Sequence, residues 1–133
     1  QNWKLVPLSV SMLDGQAHYK FGQELKNVIH AENNRVAIIA SADLSHHANA
    51  LSPEGVLPEG EQFDKFMREK AMSLDGPGLL SADPNMLEKA GQSGYKPILL
   101  LAGCLEGMNI KPKELGYEAP FGVGLMTVRY DLA

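Results

Sequence analysis

The stretch that most constrains this chain is Val36-Ala37-Ile38-Ile39-Ala40-Ser41-Ala42-Asp43-Leu44-Ser45-His46-His47, which turns from apolar to polar within a few residues. A short run that is apolar at nearly every position suits a strand covered on both faces, as in a parallel sheet. In open α/β sheets, ligands bind at the carboxyl ends of such strands. Asp43, Ser45, His46 and His47 fall at that end and are the first candidates for chemistry. The same residues also suit a plain turn, with Asp43 and Ser45 bonding nearby backbone amides.

The flanking segments extend the α/β reading. Val6, Leu8, Val10 and Met12 alternate with Ser9 and Ser11 in a strand pattern over residues 4–12, with Pro7 near the strand start or on an edge. Phe21, Leu25, Val28 and Ile29 recur at helical spacing between Tyr19 and Ala31. Strand, helix and strand in succession predict a βαβ unit with parallel pairing and a right-handed crossover. Residues 42–60 form a long Ser-, Ala-, Pro- and Gly-rich loop, placed to rim a site. Glu61 to Met72 reads as a helix with Phe63, Phe66, Met67 and Ala71 on one face. Asp75 to Gly78 reads as a turn, and Asp83-Pro84 caps a helix reaching Ala90. Pro97 to Leu105 is a helix or a buried strand, since periodicity does not decide. Residues 122–132 alternate, with Met126, Val128, Tyr130 and Leu132 on one face of a last strand.

Length and charge exclude several classes. The 133 residues suit one domain, spanning 1–133, and can bury a core. A formal net charge of −4, with basic residues scattered, leaves no electrostatic footprint for nucleic acid. No apolar run approaches the ~20 residues of a membrane span. The single Cys104 lies in an apolar setting, reads as a core residue, and suits a reducing, cytoplasmic location. The chain starts at Gln1 without a methionine or a signal-like segment, as expected of a processed product or a piece of something longer. His18 and His30 read as solvated surface residues. Gly91-Gln92-Ser93-Gly94 only brushes against a nucleophile-elbow pattern, so a hydrolase using Ser93 or Ser45 with His46 is a minor reading.

The run Ser41-Ala42-Asp43-Leu44-Ser45-His46-His47 resembles the Ser-x-Asp-Leu-Ser-His motif of class III extradiol ring-cleaving dioxygenases (LigB-type) and their MEMO-like relatives. Residues 52–64 and Tyr117 to Gly124 agree with it in order and spacing. The resemblance implies the C-terminal half of a LigB-like α/β fold, a mostly parallel sheet flanked by helices, with strands near 4–12, 36–41 and 122–132. It implies His46 as the acid–base residue acting on a catechol- or aminophenol-type substrate with O2. In MEMO-like proteins the corresponding histidine lies in a metal-binding pocket. Asp43 would orient His46 or hold the loop, Ser45 would support it, and His47 would take a structural or rim position.

The glycines of residues 120–124 would permit close approach of a ligand, or mark a turn entering an edge strand. Fe(II) is the implied cofactor, but the family's two iron-binding histidines belong to an N-terminal half that these residues do not contain. Ser93 occupies the expected third-ligand position, where a neutral hydroxyl is a poor substitute for a carboxylate or thiolate. The alternative is a MEMO-like metal-binding or signalling protein of the same fold. A homo-oligomer, or pairing with the absent N-terminal part, would cover the sheet's open edge.

Overall fold

The computed structural model describes residues 2–133. Its elements are α1 (Gly15–Ala31), α2 (Pro58–Ser73), α3 (Gly76–Leu80), α4 (Pro84–Lys89), α5 (Tyr95–Leu105), β1 (Ile110–Glu118), a single 3₁₀ turn (Pro120–Gly122) and β2 (Leu125–Leu132). The open question over residues 97–105 resolves as helix. Asp14, Asp75 and Asp83 each cap a helix by accepting a backbone N–H, from Ala17, Gly78 and Asn85 respectively. Asp75 therefore starts the short helix α3 where the sequence suggested a turn.

The described residues do not form the expected parallel sheet. Among the described residues the only sheet is β1 with β2, antiparallel, with Ile110 opposite Leu132, Glu118 opposite Leu125, and a bulge between Glu114 and Gly116. Residues 4–12 and 36–41 form neither strand nor helix. The reason is that a strand needs a partner to take its N–H and C=O groups. Alternating or continuous apolar residues state a preference for burial, not where a partner lies. With no parallel pairing among the described residues, the βαβ unit is absent among them too.

Helices make the core instead. Phe63, Met67, Ala71, Leu79, Ala90 and Leu99 are at most 1 % exposed. Tyr117, Met126, Val128 and Tyr130 lay the inner face of the hairpin against this cluster, and Tyr130 donates to the Ala71 carbonyl at 2.9 Å. Helix α1 lies close along α5 because glycines meet at the contact: a Cβ on Gly22 would overlap the Leu100 carbonyl, and one on Gly103 the Tyr19 carbonyl. Glu106 braces the pair by accepting from the Tyr19 hydroxyl at 2.6 Å and the Gln23 amide at 2.7 Å. Burial, then the Glu106 carboxylate, pushes the Tyr19 hydroxyl up to about 12.

Two further sequence readings change. The buried residues of α1 are His18, Tyr19 and Gly22, while Phe21 and Val28 are 48 % and 60 % exposed. His18 is not a solvated surface residue, being 5 % exposed. Its Nε2 accepts the Ser11 N–H at 3.0 Å and its Nδ1 donates to the Asp14 carbonyl at 2.7 Å. These two bonds tie the ring to the segment that leads into α1.

Candidate functional site

The polar cluster after residue 42 is a loop tied down from three sides. From the segment before β2, Leu44 N–H donates to the Gly124 carbonyl at 2.9 Å, and Gly124 N–H returns a bond to the Ser45 carbonyl at 2.8 Å. From the end of α4, the Ala90 carbonyl accepts both the His46 N–H and the Ser45 hydroxyl, each at 3.0 Å. From α2, Asp64 accepts the Ser45 N–H at 2.8 Å. Ser45 is 0 % exposed, and its Oγ also accepts the His47 N–H at 2.9 Å. This serine is a structural pin.

The histidines that follow differ. His47 donates from Nδ1 to the Gly55 carbonyl at 2.6 Å, and its Nε2 stands 3.6 Å from Glu54. These contacts fold the 47–55 loop back on itself. His46 keeps Nε2 unpaired: that atom is shielded from solvent yet makes no hydrogen bond. The Asp43 carboxylate lies 3.4 Å from it, an electrostatic neighbour without hydrogen-bond alignment. Both side chains keep considerable exposure, 36 % for His46 and 49 % for Asp43. The arrangement is an imidazole anchored through its backbone, with Nε2 covered and unbonded and the Asp43 carboxylate beside it.

Ser93, distant in sequence, arrives beside Asp43. Its Oγ accepts the Asp43 N–H at 3.0 Å and its own N–H donates to the Asp43 carbonyl at 3.4 Å. Ser93 thus joins Asp43 and His46 in space, but its hydroxyl is occupied in bracing backbone. No serine hydroxyl among the described residues bonds to a histidine ring, so the hydrolase reading has no nucleophile–base pair. Nor do three His, Cys, Asp or Glu side chains converge as a metal site among the described residues. The residues present do not fit Fe(II) by themselves. Of the two readings for Gly122 and Gly124, close approach of a ligand or a turn entering an edge strand, the structure has them leading from the 3₁₀ turn into β2, pressed against Ser52 and the Asp64 carboxylate.

Sequence reasoning missed the support beneath this loop. Asp64 is 2 % exposed, and its second oxygen accepts the Tyr117 hydroxyl at 2.6 Å. The Arg68 guanidinium lies over the Tyr117 ring, 4.4 Å from its centroid, and makes a two-point pair with Glu114 at 2.7 and 3.1 Å. Burial raises the Asp64 carboxyl above its ordinary range, while the Tyr117 hydroxyl, the Ser45 amide and Arg68 pull it back. Burial, then Asp64, raises Tyr117 strongly. The available signal was a carboxylate in the apolar row of α2, between Phe63 and Met67.

A family model described as the catalytic LigB subunit of aromatic ring-opening dioxygenase matches residues 1–128. A curated protein of Clostridium acetobutylicum is 33 % identical over 131 residues, which cover 98 % of this chain but 28 % of that protein. This chain therefore spans little more than a quarter of that relative's length.

Proposed function

The chain belongs to the LigB family of aromatic ring-opening dioxygenases, and from that premise we propose that it carries the acid–base part of an extradiol ring-cleaving site. The substrate is a catechol- or aminophenol-type ring, opened with O2. His46 removes a proton from a ring hydroxyl at Nε2, which the substrate must uncover, and returns it later in the reaction, with the Asp43 carboxylate 3.4 Å away. The observation that carries the reading is the unpaired Nε2 of His46, held on a backbone fixed by the Ala90 carbonyl and by the Asp64-bound Ser45. Fe(II), which the resemblance implies, would need ligands from outside these residues.

The test is oxygen uptake by the native protein, isolated from its own cells and loaded with Fe(II), against a panel of catechols and aminophenols. Uptake matched to loss of the ring supports the reading. No uptake at any iron loading overturns it and favours the second reading, a MEMO-like binding or signalling role. Ser93 supports that alternative, because a neutral hydroxyl stands at the expected third-ligand position and is spent on Asp43.

A further inference from the structure

Helix α2 places a carboxylate where an apolar side chain would pack. Asp64 shares a buried face with Phe63, Met67 and Ala71, and a buried charge is unfavourable unless its oxygens are bonded. Here both oxygens are used, one on the Ser45 N–H and the other on the Tyr117 hydroxyl. Gly124 closes the remaining side so tightly that a Cβ would collide with the carboxylate. Tyr117 is itself fixed, because Arg68 covers its ring and is held by Glu114. A line of directed contacts therefore runs from Glu114 through Arg68, Tyr117 and Asp64 to Ser45, the residue before His46. A packed hydrophobe would exclude water equally well but could not select the direction of one peptide N–H.

We propose that Asp64, held by Tyr117, is the positioning residue for His46: it fixes the Ser45 amide and thereby the direction in which Nε2 is presented. The proposal rests on the acid–base reading of His46 for its functional meaning, though not for its geometry. Asp64 touches no substrate and acts only through the Ser45 peptide. The geometry also assigns Tyr117 a definite part, since its hydroxyl engages one carboxylate oxygen and leaves the other for Ser45.

The test uses the native protein with Asp64→Asn, Tyr117→Phe, both together, and His46→Gln as reference. Two readouts are taken: histidine ring NMR resonances, and kcat against KM for ring opening. In Asp64→Asn and Tyr117→Phe the His46 resonances shift and broaden while those of His18 and His30 stay in place. In the same variants kcat falls by roughly tenfold to a hundredfold, the range expected of a misplaced group, with KM nearly unchanged. The double variant is no worse than the poorer single one, because both act on one contact. Should Asp64→Asn fail to fold, Tyr117→Phe, which removes one hydroxyl, decides alone. Unmoved His46 resonances in a folded Tyr117→Phe protein overturn the proposal whatever the turnover. Undiminished turnover in His46→Gln overturns the acid–base reading, and the resonances then still decide whether Asp64 positions the ring.

Discussion

Residues 43–49 and residues 34–42 adjoin in sequence and differ in almost every bond they make. In the first segment, backbone amides of Asp43, Leu44, Ser45, His46, His47 and Ala48 all find acceptors. In the second, no backbone group makes a hydrogen bond among the described residues. The side chains follow suit: Ser45 is 0 % exposed, whereas Val36 and Ile39 are 50 % and 86 % exposed. Residues 3–10 match the bare segment, with Leu5 89 % and Val6 76 % exposed and no backbone bonds among the described residues. Polar residues are buried where directed partners wait for them. Apolar Val36 and Ile39 stay exposed where nothing covers them, while the 43–49 segment is held by specific acceptors together with the buried Leu44.

That contrast breaks first at the core. Phe63→Ala removes a ring that is 0 % exposed and should destabilise by about 3–5 kcal/mol, whereas Ile39→Ala should stay within about 0.5 kcal/mol. Urea unfolding of the two variants measures both, and equal losses would show that the 34–42 segment is covered in solution. Next in size is Asp64→Ala, which orphans the Ser45 N–H and the Tyr117 hydroxyl at about 1–3 kcal/mol each. Part of that loss is offset by removal of the buried charge. An unaltered urea midpoint in this variant would mean that the loop does not depend on Asp64.

A smaller effect concerns pH. The folded state raises the Asp64 carboxyl above its unfolded value, with burial the largest cause. Between the unfolded value, about 3.9, and the raised folded one, the native state binds more protons than the unfolded chain. The Asp64 contribution to stability is therefore fully present below that window and is lost as pH rises through it. Asp64→Asn should remove this component, visible as a flatter dependence of the urea midpoint on pH. A wild-type slope retained in the variant would assign the effect to other groups.

The legible parts of the sequence were those governed by local rules. The helical spacing from Tyr19 to Ala31 and the Asp83-Pro84 start both correspond to helices, α1 and α4. The alternation of Met126, Val128 and Tyr130 does mark the inner face of β2, whereas Leu132, assigned to the same face, is 65 % exposed. Its partner β1 was hidden because Lys111, Lys113 and Glu114 surround Pro112 and Gly116, a composition that favours neither burial nor strand. The parallel sheet was misread because periodicity cannot name a ladder partner. At the candidate site, Asp43, Ser45, His46 and Ser93 could be singled out from the resemblance. The bonds from Asp64 and Tyr117 could not, since they join residues far apart in sequence through tertiary contacts.

The most direct measurement of the central claim is ring-opening turnover of the native Fe(II)-loaded protein with and without His46→Gln, metal content being assayed in both. The account predicts turnover lower by roughly 10²–10⁴-fold in the variant, the usual contribution of a positioned acid–base group, with metal content and substrate affinity nearly unchanged. Turnover equal to the parent's, at equal iron content, would contradict it.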